Sequence, residues 1–193
     1  TGPQGLTGPQ GLTGPQGLTG PQGFNQGISS IFVWSDLSQN IINSEKFNLI
    51  FFEHTPIGPF GSGWTTTTDT GFSYPTGFIV PSSGYYLLTY KIDMKSGGIL
   101  TPLLTIAASV LTKNGSEING SSAVIEALEV GHLAILTNTV IINLLVNDSI
   151  SLLFWSNDSN SHTGNPNYLT GKLPNGNKPI ESTASIVFTK LSS

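Results

Sequence analysis

Cysteine is absent from the 193-residue chain, which excludes a disulfide framework and any thiolate metal site. Arginine is absent as well, and the seven lysines are scattered, so no basic stripe can follow a phosphate backbone. Nucleic-acid binding is not expected. Charged residues make up only 9%, against roughly a quarter in an ordinary soluble domain. Hydrophobic residues nevertheless reach 37%, which sets the chain apart from disordered, highly charged sequences. Long apolar runs are also missing. The most apolar window, residues 133–146, is broken by Thr137, Asn138, Thr139 and Asn143. Nothing approaches the roughly 20 apolar residues of a membrane helix, so no membrane insertion is expected. The chain does not open on a basic segment followed by an apolar one. Thr1 falls where the third residue of a triplet belongs. The start therefore reads as a cut through a longer repeat, with any targeting segment outside it.

Signatures of catalysis are lacking too. His54, His132 and His162 are not at metal-ligand spacing, and neither H-E-x-x-H nor G-x-S-x-G occurs. Gly61-Ser62-Gly63 is too short for a phosphate loop and reads as a bend. Glu126 and Glu129 read as solvated strand-end charges, not a catalytic pair. The expectation is a protein that is not an enzyme and needs no cofactor.

What is present first is a repeat. Glycine stands at 2, 5, 8, 11, 14, 17, 20 and 23 without a miss, and Gln26 ends the register. Three polyproline-II-like chains wound together leave room only for glycine at their axis, whereas a flexible linker has no reason to keep the period. Residues 1–25 are thus expected to be a collagen-like triple-helix segment, a fragment of a longer stalk about 70 Å long as it stands. A triple helix implies three chains, most simply a homotrimer. Thr7, Thr13 and Thr19 occupy the outward third position. There they can carry O-linked sugars, or stand as plain solvated threonines.

Residues 26–193 read as all-β. Tyr86, Leu88, Tyr90, Ile92 and Met94 alternate with Thr89, Lys91, Asp93 and Lys95, the period of a strand with one buried face. Residues 103–111 read as a second strand, turning at Asn114-Gly115, with residues 117–127 returning. Residues 133–146 carry apolar residues on both faces, with Ala134, Leu136, Val140, Ile142, Leu144 and Val146 alternating with Leu133, Ile135, Ile141 and Leu145. Such a strand is expected to be covered twice, by the core and by a neighbouring subunit. Residues 150–155 and 184–191 read as further strands. Many short strands with turn signals between them predict a sandwich or jelly roll. Tyr86, Leu88, Tyr90, Ile142 and Leu144 are expected to be buried in the head or at its threefold contact.

Phe78-Ile79-Val80-Pro81-Ser82-Ser83-Gly84-Tyr85-Tyr86 resembles the Phe-x-Val-Pro-x-x-Gly-x-Tyr element of C1q-like domains, with Tyr90 as the aromatic four residues later. Lys113-Asn114-Gly115 is similar to the family's turn, residues 144–152 to its Asn-Asp element, and Ser185-Ile186-Val187-Phe188 to its final strand. The matches run in family order from about residue 76 to 190, directly after the repeat. The resemblance implies a ten-stranded C1q/TNF-like jelly-roll β-sandwich that trimerises. Within the family, the cysteine-free head after Gly-Pro-Gln/Gly-Leu-Thr triplets is similar to the collagen-like spore-surface (exosporium filament) proteins of Bacillus. Residues 26–75 form an extended N-terminal lead-in. There, residues 28–34 align loosely with a first strand, 47–53 read as another strand, and 58–70 as a long Gly/Thr loop.

C1q-like trimers often hold calcium near their apex. In this chain residues 156–162, Ser-Asn-Asp-Ser-Asn-Ser-His, are the best oxygen-rich loop, with Asp158 as its only carboxylate. A solvated turn is the plainer reading of the same residues. The functional expectation is a structural surface protein, extracellular, on a spore or cell. Its trimeric head nucleates and caps a collagen-like filament and meets host or environmental glycans or proteins. The alternative is the receptor-binding tip of a phage tail fibre or adhesin.

Overall fold

The computed structural model describes residues 1–6, 8, 30–41, 45–54, 63–95, 105–128, 133–158, 161–163 and 182–192. Of the glycine repeat it describes residues 1–6 and 8, which are exposed and outside any strand. Thr7, Thr13 and Thr19 lie outside the described residues, as do His132 and Glu129.

The described part of the head is all-β, with no helix. Its strands are β1 Ser30–Ser35, β2 Asn48–Leu49, β3 Thr65–Thr67, β4 Gly77–Ile79, β5 Gly84–Lys95, β6 Thr105–Lys113, β7 Ser116–Glu117, β8 Ala123–Leu128, β9 Leu133–Leu144, β10 Ser149–Ser156, β11 His162–Thr163 and β12 Ala184–Ser192. They form two antiparallel sheets. In one, β12 lies between β1 and β5, β9 pairs the far side of β5, and β11 caps the end of β5. In the other, β10 lies between β4 and β6, β3 flanks β4, and β7 and β8 flank β6. The resemblance implied ten strands; twelve pairing segments occur among the described residues, three of them only two residues long.

The sheets face each other across one apolar core. Tyr86, Leu88, Tyr90, Ile92 and Met94 of β5 are all buried, as their alternation predicts. Opposite them lie Ile150, Leu152 and Phe154 of β10. Aromatic rings fill the middle: Phe78 packs edge-on against Phe188 at 5.5 Å and against Phe52 at 5.4 Å. Such ring pairs add about 0.5–1.5 kcal/mol each beyond their burial. Tyr90 also spans the sandwich, since its hydroxyl donates to the Ser121 carbonyl at 2.7 Å and accepts from Ser109 Oγ at 3.0 Å.

The Asn114-Gly115 hairpin forms as expected. Both residues have positive φ, 51° and 80°, which is the two-residue turn that matches strand twist. Other expectations need correction. The anticipated strand at 47–53 shrinks to β2, because Ile50 N–H still reaches the Leu152 carbonyl but Phe52 N–H turns to the Pro75 carbonyl. The anticipated loop at 58–70 contains β3, whose β-branched threonines pair with β4; its residues 58–62 lie outside the described part. Gly77 permits that pairing, since a Cβ there would collide with Thr67 Oγ1 and meet Ser151 Oγ at 3.0 Å. The return strand at 117–127 is split into β7 and β8 by a turn in which Gly120 takes φ 79°. Finally, β9 ends at Leu144, so Val146 sits exposed in a turn and not on the buried face. Asp148 Oδ2 accepts the Leu145 N–H at 2.8 Å and bends the chain there.

Candidate functional site

The outer face of the first sheet is built by the residues that alternate with the core. On β5 these are Tyr85, Leu87, Thr89, Lys91 and Asp93, and register places them opposite Asn143, Ile141, Thr139, Thr137 and Ile135 of β9. The same rows continue on the other side. Thr89 faces Val187, which faces Phe32, and Leu87 faces Thr189, which faces Ser30. The result is an outward surface of aliphatic, aromatic and threonine side chains.

Burial differs sharply between the two faces of β9. Ala134, Leu136 and Leu144 are buried and Val140 and Ile142 half-buried, whereas Ile135 and Ile141 are 59% and 64% exposed. Ile142 is therefore less covered than its place in the alternation predicts. Phe32, Tyr85, Leu145, Val146 and Leu191 are each at least half exposed as well. Apolar side chains gathered in one exposed patch mark a docking surface, whereas single ones scattered over a surface do not.

Several polar groups of this face are paired, although Asp93 Oδ1 is buried without a hydrogen-bond partner. Thr89 Oγ1 and Thr139 Oγ1 share a hydrogen bond of 3.0 Å, and Thr137 Oγ1 donates to the Tyr90 carbonyl at 2.7 Å. Lys91 Nζ donates to Asp93 Oδ2 at 2.8 Å, so the two charges sit as a pair. Pairing lowers the cost of taking the threonine donors out of water, whereas the Lys91–Asp93 ion pair still resists desolvation. The aliphatic and threonine rows of the face can be covered by another apolar surface at low desolvation cost.

The sequence-proposed calcium residue, Asp158, is buried in the bend after β10. Its N–H donates to Ser156 Oγ at 3.2 Å and its carbonyl accepts the Ser161 N–H at 3.0 Å. A hard cation needs six or more oxygens. Asp158 does not belong to the group of three ligand-bearing side chains found among the described residues. That group is Asp36, Glu53 and His54, which sequence spacing did not suggest. Glu53 and His54 are chain neighbours, but Asp36 is 17 residues before Glu53 and is brought to it only by the pairing of residue 54 with β1. Glu126 is exposed on β8, in keeping with a solvated charge.

No protein-family model matches this chain, and no curated protein matches it. Among solved structures it is similar to murine APRIL. The crystal structure at pH 5.0 superposes with a TM-score of 0.50 at 12% identity, covering 85% of this chain and 99% of that one. The crystal structure at pH 8.0 gives 0.51 at the same identity and coverage. At that identity the likeness concerns the fold: the described residues form a sandwich of the TNF-like jelly-roll type.

Proposed function

We propose that this chain is one third of a homotrimeric head at the outer end of a collagen-like filament on a spore or cell surface. The observation that carries the proposal is the exposed apolar face of the sheet β1-β12-β5-β9. Covering the remaining exposed part of Ile135 or Ile141 contributes about 1–2 kcal/mol each, before the cost of association is subtracted. Two further facts agree with a count of three. A strict Gly-X-Y repeat needs three chains, and TNF-like jelly rolls associate as trimers. The spore-surface assignment is supported by the likeness of the repeat and head to the Bacillus filament proteins. The partners are then two further copies of the chain and, on the outside, surface glycans or proteins. No catalytic role forms part of the proposal.

Sedimentation of the full chain at micromolar concentration tests the assembly: a trimer is expected, and a monomer would sink it. Immunogold labelling of the producing cells tests the location, with label expected at the outermost rim. Label on virus particles instead, with saturable binding to one glycan class, would favour the fibre-tip alternative. Two smaller parts have their own tests. Mass spectrometry should find hexose additions on Thr7, Thr13 or Thr19 if the stalk is glycosylated. If calcium binds through Asp158, chelation should lower the melting temperature and Asp158→Ala should remove that sensitivity.

A further inference from the structure

We propose that Asp36, Glu53 and His54 bind a first-row divalent transition-metal ion, with zinc as the best-fitting probe, at the end of β1. The imidazole is held first. Trp34 and His54 exchange two backbone hydrogen bonds, both 3.2 Å, in an isolated antiparallel bridge at the sheet edge. The His54 ring then stacks on the Trp34 indole, with centroids 3.6 Å apart and planes 16° from parallel. This fixes Nε2 at 3.4 Å from Asp36 Oδ2 and 3.8 Å from Glu53 Oε1. The three ligand atoms all lie within 4.8 Å of one another. Ligands bound at about 2.1 Å around a tetrahedral ion stand about 3.4 Å apart, so a small inward adjustment suffices.

A second observation points to a missing cation. The Glu53 side chain is only 9% exposed. Its Oε1 accepts the backbone N–H groups of Asp36 and Leu37, but its Oε2 is buried with no hydrogen-bond partner. Buried carboxylate oxygens are almost always satisfied, and a bound ion is one of the few ways to satisfy this one. A plain ion pair between His54 and Asp36 would leave Glu53 Oε2 as it is. The donor set of one imidazole nitrogen and two carboxylates suits zinc and its neighbours, whereas calcium and magnesium prefer all-oxygen shells. His54 is 41% and Asp36 29% exposed, so an ion can enter and water can complete its coordination. Bound there, the ion ties residue 54 to the end of β1, the edge strand nearest the repeat in sequence. The inference does not depend on the trimer.

The test is calorimetric titration of zinc chloride into the full untagged chain after EDTA dialysis, with thermal unfolding alongside. One zinc per chain and a raised melting temperature are expected. His54→Phe keeps a ring over Trp34 but removes Nε2, and Asp36→Asn alters a more exposed group; each should weaken binding at least tenfold and abolish the thermal shift. Glu53→Gln should do the same if it folds. The proposal is overturned by no binding up to millimolar zinc, or by unchanged binding in His54→Phe. Calcium binding as tightly as zinc, or a metal effect that disappears in Asp158→Ala but persists in His54→Phe, would also overturn it.

Discussion

Asp148 holds two turns that lie 34 residues apart in sequence. Its Oδ1 accepts Asn114 Nδ2 at 2.7 Å and its Oδ2 accepts the Leu145 N–H at 2.8 Å. Asn114 Oδ1 in turn accepts the Ser149 N–H at 2.7 Å, so the Lys-Asn-Gly and Asn-Asp elements noticed separately in the sequence interlock. Asp148→Ala removes both acceptors from a buried position and should cost about 2–3 kcal/mol, read from the denaturant midpoint at neutral pH. Asn114 fits the glycosylation pattern by sequence, but its amide is already committed to Asp148. Tyr90 makes a different prediction. Burial pushes its phenol above the ordinary tyrosine value, with the Ser109 and backbone hydrogen bonds pulling the other way. The folded state thus favours the neutral phenol. That stabilisation is complete below the ordinary tyrosine range near pH 10 and is lost as pH rises through the folded value. Thermal unfolding between about pH 9 and 11 should therefore fall more steeply in the wild type than in Tyr90→Phe. Equal slopes would show that burial of this phenol does not matter.

In the proposed trimer, β9 is the element on which assembly turns. Its inner residues complete the core against β5, while Ile135 and Ile141 project outward. Asn138 Nδ2 also donates to the Gly120 and Ser122 carbonyls, at 3.0 and 2.8 Å, fastening β9 to the turn that precedes β8. The strand is therefore rigidly mounted, and a change on its outer face should act on association and not on the fold. Ile141→Asp places a charge at the more exposed of the two outward isoleucines of β9 and should convert the proposed trimer to monomer at micromolar concentration. The circular dichroism of the β-sheet should survive. Sedimentation velocity reads the first outcome, and a variant that stays trimeric would move the interface elsewhere.

For the whole molecule, the proposal orders the events of assembly. The repeat has no charged pairs between chains, and half of its second triplet positions hold leucine or phenylalanine in place of proline, so three short strands gain little by winding alone. Heads that associate first would hold three copies of Gly23 close together at high effective concentration, and the stalk would zip outward from there. Heating the full chain should then melt the triple-helix dichroism well below the β-sheet transition. Residues 26–193 alone should remain trimeric, and residues 1–25 alone should be monomeric and unwound. An isolated head that sediments as a monomer would mean that the stalk carries the assembly.

Period-two alternation was enough to read β5, and short apolar runs between turn signals, with the Asn114-Gly115 dipeptide, to read most of β6, β10 and β12 from the amino-acid order alone, because strand burial and φ > 0 turns are local consequences of side-chain type. The glycine period is local in the same sense. Alternation shows that β9 has two apolar faces, but not which of them meets the core. That depends on β9 pairing Leu144 with Gly84 and Leu133 with Lys95, a register set by long-range packing. The break at Leu144, the short β3 in an expected loop and the meeting of Asp36 with Glu53 and His54 are likewise not legible in the alternation. Each depends on one backbone pairing or side-chain contact, Asp148 with Leu145, β3 with β4, or Asp36 with Glu53, and periodicity carries no information about such contacts.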